Sequence, residues 1–236
     1  RYDYRNEWRK GQNGKPQISP PANSGANTDD TGWWGEIRHL LSGATSVSGS
    51  PGTAKGGVLR NLDRTDPFQE GLGQPAVDTS IFPLGDSDGK VHTTCDFAVA
   101  DKQATIDKDD AYDPHVSEGV SDGSHLEFVC MSGATGSQLN ALKPQSAYIH
   151  GVAITAADAA SMGNSGTGLI WSPRSNISLY GFTAPVVMAA RAGVQIALGT
   201  DWSASGGMNM LRELTCAAQF NTTHLGGYFT DYQLYR

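Results

Sequence analysis

Four side chains at the ends of apolar or β-like runs could do chemistry. They are His115 and Glu118 in DPHVSEGV, His150 in YIHGV, and Asp201 in LGTDW. Imidazole and carboxylate together suit a divalent metal such as zinc or iron. A metal held by such groups lowers the pKa of its water towards ~7 and supplies a nucleophile at neutral pH. Taken singly, each has a plainer reading. His115 could be a loop histidine near a solvated carboxylate, His150 a satisfied core histidine, and Asp201 the cap of the following helix.

Groups so far apart in sequence need a scaffold that gathers them. The runs ATSVSG, SAYIHGVAI, GTGLIWSP (closed by Pro173) and VQIALGTD read as strands. Helix patterns alternate with them. WWGEIRHLLSG carries Trp34, Ile37, Leu40 and Leu41 on one face and stops at Gly43. Thr155 and Asp158 form a capping box that opens a short helix. TAPVVMAARAG is a helix with Thr183 as N-cap and Pro185 in its first turn. In MNMLRELTCAAQF, Met208, Leu211, Leu214 and Ala218 share a face. This rhythm predicts a parallel α/β sheet, either doubly wound or a barrel. Catalytic side chains at the C-terminal ends of several strands favour the (β/α)8 barrel. Residues 1–236 are expected to form a single domain with long loops at 10–32 and 49–92.

The chain has 236 residues and a net charge of −7. It shows no basic stripe for a nucleic acid and no run near the ~20 apolar residues of a membrane span. Cys95, Cys130 and Cys216 are odd in number and widely spaced, and read as reduced thiols of a cytoplasmic protein. Two motifs fail on inspection. GSPGTAKGG (49–57) lacks phosphate-loop spacing. DKDDAYDPHVSE (107–118) puts Tyr112 where a calcium loop requires glycine. DSDG (86–89) reads as a turn.

The order of these residues resembles the amidohydrolase superfamily, metal-dependent (β/α)8-barrel hydrolases, and within it the cytosine deaminase and chlorohydrolase-like branch. His115-Val-Ser-Glu118 matches the fifth-strand H-x-x-E, and His150 matches the sixth-strand histidine. Ser172-Pro173-Arg174-Ser175-Asn176 matches SPxSN, and Leu198-Gly199-Thr200-Asp201 matches the eighth-strand LGTD. GEIRHLLSGATSV is similar to the helix and second strand of such proteins.

The resemblance implies one divalent metal, zinc or iron, ligated by His115 and Asp201. Asp201 would also take a proton from the attacking water. His150 would hydrogen-bond that water or polarise the substrate. Glu118 would shuttle a proton to the leaving group, a role suited to a pKa raised by burial. The substrate would be a small molecule with a C–N bond in an amide, cyclic amide or amino-heterocycle. Arg174, Asn176 and Trp202 are candidate substrate contacts, although SPRSN also reads as a turn and Trp202 as core. The H-x-x-E, with no lysine evident at a fourth-strand end, favours a mononuclear site over a binuclear dipeptidase- or lactam-type one.

The family's first-strand H-x-H is absent, the first histidine being His39. The opening RYDYRNEWRKG looks like the loop after that strand. The chain is therefore expected to be a barrel incomplete at its N-terminus and without the accessory β-sandwich. The alternative is a non-catalytic barrel remnant or binding protein that has lost the metal.

Overall fold

The computed structural model describes residues 1–19, 28–49, 58–85 and 89–236. Two parallel sheets form its framework. The smaller pairs β1 (Ser46–Val47) with β2 (Arg60–Asn61). The larger runs in unbroken order through β3 (Asp78–Ser80), β4 (Tyr112–Val116), β5 (Ala147–His150), β6 (Gly168–Trp171) and β7 (Ile196–Leu198). Helices occupy the crossovers, as parallel pairing demands. They are α3 (Gln103–Ile106), α4 (Asp122–Met131), α5 (Ala156–Ser165), α6 (Pro173–Tyr180) and α7 (Val186–Arg191), while α1 (Arg5–Lys10) and α2 (Thr28–Leu40) precede β1 and α8 (Met210–His224) and α9 (Asp231–Tyr235) follow β7.

Alternation along the strands decides which side chains face the helices. Tyr112 and Val116 of β4 are buried, with half-buried Asp113 and His115 between them. Tyr148 lies opposite Leu169, and Leu169 opposite Ile196. This layer packs on Phe128 and Met131 of α4, Met162 of α5, Ala189 of α7 and Ala217 of α8. Each large side chain so buried contributes ~1.5–3 kcal/mol. Local signals fix where the helices start. Thr155 accepts from the Asp158 N–H and Asp158 from the Thr155 N–H, so the expected capping box opens α5. Ser121 caps α4, and Asn209 caps α8.

Several expectations are corrected. The stripe on α2 is not a core face, since Trp34 is 60% and Leu41, just beyond the helix, 75% exposed. The helix is tied down instead by buried Glu36, which accepts from Leu59 N–H at 3.1 Å and Asn61 Nδ2 at 3.2 Å. In α8 the buried side is Glu213, Ala217 and Asn221, while Met208 and Leu211 are exposed. Apolar spacing reveals a helix but not which side meets a partner. Helix α7 has Pro185 as its N-cap, because the Thr183 hydroxyl is already engaged by Trp171 Nε1 at 2.6 Å. SPRSN is no turn; it opens α6, with Pro173 at its start. The stretches 10–32 and 49–92 are not loops throughout, as they contain the start of α2, β2 and β3. Residues 50–57 of GSPGTAKGG and 86–88 of DSDG lie outside the described residues.

The thiol reading also changes. Cys95 and Cys130 are disulfide-bonded across 35 residues, and only Cys216 is free. The fold lays the segment before α3 against α4, bringing the two Cα atoms to 5.4 Å, within disulfide reach. Counting cysteines could not reveal that approach. Such a bond belongs to oxidising surroundings, so the thiols no longer argue for the cytoplasm. Among the described residues no helix is long and apolar enough to cross a membrane.

Candidate metal centre

Strands β3, β4, β5 and β7 bring their C-terminal ends to one place. His115 is the penultimate residue of β4, His150 the last of β5, and Asp201 lies three residues beyond β7. One ligand atom from each falls within 4.8 Å of the others. Both His150 (φ 78°) and Asp201 (φ 56°) take the left-handed conformation. Histidine and aspartate enter that region more readily than most residues, yet it still costs ~1–3 kcal/mol, which the surrounding packing must offset.

Each group is prepared as a donor of a lone pair. His115 Nδ1 lies 3.1 Å from the Ser80 carbonyl at the end of β3. A carbonyl only accepts, so the proton sits on Nδ1 and the Nε2 lone pair stays free. Burial, aided by the neighbouring His150 and Arg5, pushes the His115 pKa well below the usual histidine range. The ring is therefore neutral, as ligation requires. His150 is buried, with Nδ1 3.1 Å from Asn176 Oδ1 and the rings of His115 and His150 5.1 Å apart. Its Nε2 is buried without a hydrogen-bond partner. For Asp201, Oδ2 accepts from the Ser175 hydroxyl and Oδ1 from the Trp202 N–H at 2.7 Å. Two imidazoles, one with an orphaned ring nitrogen, and a carboxylate, whose ligand atoms lie within 4.8 Å of one another, fit a divalent cation. Three protein ligands is also the usual number in a catalytic zinc site.

Glu118 borders this group and is buried. Its Oε1 accepts from Tyr180 OH at 2.8 Å, and Oε2 lies 3.7 Å from His150 Nε2 and 3.9 Å from Arg5 Nη1. Tyr180 in turn accepts from Trp8 Nε1 at 2.8 Å. Burial and the Glu118 charge hold the Tyr180 pKa well above its usual value, so it remains a donor. Arg5 also pairs with Glu127 at 3.1 Å and donates to the Ile81 carbonyl at 3.0 Å.

No family model matches the chain. A 5-methylthioadenosine/S-adenosylhomocysteine deaminase of Teredinibacter turnerae is 39% identical over 80 residues, which are 34% of this chain and 18% of that protein. The same-named protein of Desulforudis audaxviator is 39% identical over 70 residues, 29% of this chain and 16% of that one. The matched stretches thus span less than a fifth of these curated relatives, by the shares just given. A mutant atrazine chlorohydrolase of Arthrobacter aurescens, complexed with zinc and atraton, aligns over 87% of this chain and 60% of its own. Its TM-score is 0.50 at 16% identity, a likeness of fold alone. The chain resembles the amidohydrolase superfamily.

At this centre the sequence-derived residues separate into two sets. His115, His150, Asp201 and Glu118 come together. Arg174 does not join them; it is exposed, and its backbone N–H donates to Glu213 Oε1 at 2.8 Å. Asn176 is buried, with its Oδ1 3.1 Å from His150 Nδ1. Trp202 is half-buried and packs on Trp8, ring centroids 4.9 Å apart. Sequence reasoning passed over Arg5, Trp8, Ser175, Tyr180 and Glu213. Only Ser175 had a signal, inside SPxSN. Glu213 is buried, and desolvation pushes its pKa up to about 7.

Proposed function

We propose that this chain carries the active site of a metal-dependent amidohydrolase that hydrolyses a C–N bond of a small molecule, by deamination or cyclic-amide opening. The scaffold is a (β/α)8 barrel within a single domain, of which the five-stranded parallel sheet is one part. One observation carries the reading: His115, His150 and Asp201 offer ligand atoms within 4.8 Å of one another at the strand ends. The curated relatives' name, 5-methylthioadenosine/S-adenosylhomocysteine deaminase, supports an amino-heterocycle as substrate. The packed rings of Trp8 and Trp202, tilted 33° to each other, provide an apolar surface next to Asp201 for such a ring.

His115, His150 and Asp201 would hold zinc or iron, which when bound supplies the Lewis acidity that activates water near neutral pH. Asp201 takes the proton from the attacking water, its two oxygens each steadied by one donor. Glu118 delivers a proton to the departing nitrogen, and Tyr180 and Arg5 keep its carboxyl turned toward His150. Burial of Glu118 keeps bulk water from competing for that proton.

Metal analysis of purified protein tests this. Near-stoichiometric zinc or iron, lost in Asp201→Ala, is the expected result. Two metals per chain would favour the binuclear reading, and none would leave the non-catalytic one. Glu118→Gln should keep its metal and lower turnover roughly 10²–10⁴-fold, the usual weight of a general acid. Unchanged turnover would remove Glu118 from the mechanism.

A further inference from the structure

We propose that Asn176 is a positioning residue that fixes the tautomer of His150, and that Thr183 and Trp171 fix Asn176 in turn. The inference rests on the reading of His150 as a ligand. Four buried side chains form one hydrogen-bonded line. Trp171 Nε1 lies 2.6 Å from Thr183 Oγ1, Asn176 Nδ2 3.3 Å from the same oxygen, and Asn176 Oδ1 3.1 Å from His150 Nδ1. None is more than 4% exposed, so no bulk water competes for these atoms.

The amide orientation sets the direction of the line, with Asn176 Nδ2 donating to Thr183 Oγ1 and Oδ1 turned to His150. An indole N–H can only donate, so Thr183 Oγ1 accepts from Trp171. The same oxygen receives the amide nitrogen of Asn176, which turns the amide oxygen toward His150. An amide oxygen cannot donate, so the imidazole proton lies on Nδ1. The lone pair then lies on Nε2, the atom that is buried, lacks a hydrogen-bond partner and lies 3.7 Å from Glu118 Oε2.

His115 reaches the same state by a simpler route, through the Ser80 carbonyl. A carbonyl cannot exchange donor for acceptor, whereas a side-chain amide can by flipping. That is why Asn176 needs an anchor and Ser80 does not. The three supporting residues lie within residues 171–183, from the end of β6 through α6 to the segment before α7. On the preceding residue of α6, Ser175 donates to Asp201, so a single helix start orients two of the three ligand groups.

The test is long-range proton–nitrogen correlation NMR on metal-free, ¹⁵N-histidine-labelled protein, with His150 assigned from His150→Gln. Cobalt(II) affinity, followed by its visible absorption, is measured in parallel. The wild type is expected to show Nδ1–H at His150. Asn176→Leu should lose that state and weaken cobalt binding by about 10–100-fold, the usual weight of an outer-shell partner. Asn176→Asp, which still accepts, should retain it. Thr183→Val, which frees the amide to flip, should give a mixture, and it serves as the test if Asn176→Leu does not fold. An Nε2–H ring in the wild type, or an unchanged tautomer in both Asn176→Leu and Thr183→Val, overturns the proposal. Wild-type protein that binds no cobalt would overturn the metal reading instead, leaving the tautomer to be judged on its own spectrum.

Discussion

Two regions meet at the centre and hold their side chains in different ways. From residue 112 to 201, each ligand group sits at or just beyond the end of a strand whose register is fixed by its neighbours. Its supports are close by: Asn176 and Ser175 on one helix start, Ser80 on the adjacent strand. The N-terminal segment works otherwise. Arg5 reaches Ile81, Glu118 and Glu127, and Trp8 bonds Tyr180, 172 residues away. The bridge between Tyr4 and Gly119 pins that segment beside the loop carrying Glu118. The first region places His115, His150 and Asp201 by strand ends and supports them from an adjacent strand and one helix start. The second sets the Glu118 carboxyl through contacts between segments far apart in the chain.

Removing the guanidinium is the sharpest way to break this contrast. In Arg5→Met, Glu118 and Glu127 are left buried without their cation, and a loss of about 3–5 kcal/mol is expected. Urea unfolding would show it as a lower midpoint at unchanged slope. A change under ~1 kcal/mol would mean that the segment is merely laid on the surface.

Glu213 gives an intermediate effect. Its folded pKa of about 7 lies above the ordinary 4.5, because burial disfavours the charge. Between those values the folded state binds more protons than the unfolded one, so stability falls as pH rises from about 4.5 to about 7. The contribution is intact below the lower value and amounts to about 2–3 kcal/mol. Glu213→Gln should flatten that slope relative to the wild type in denaturant titrations across this range. A slope as steep as the parent's would assign the pH dependence to other carboxyls, such as Asp113, whose pKa burial raises to about 6.

The smallest effect belongs to the local region. Thr155→Ala removes one side of the α5 capping box and should cost about 1 kcal/mol, with cobalt binding unaltered. If it instead matched Arg5→Met, the distinction between local and long-range support would collapse.

The sequence by itself determined the βα rhythm after residue 112, the capping box at Thr155, and the types and order of His115, Glu118, His150 and Asp201. Those are properties of short windows, where 2.0 and 3.6 residue periods and capping chemistry act over a few neighbours. Only the tertiary structure decided that α2 keeps its tryptophans in solvent, that Cys95 meets Cys130, and that Asn176 serves His150 while Arg174 points away. It also decided that Arg5, Trp8 and Tyr180 converge on Glu118. The physical reason is that a buried polar atom must find a partner somewhere, but composition and spacing do not say which distant donor the fold will deliver.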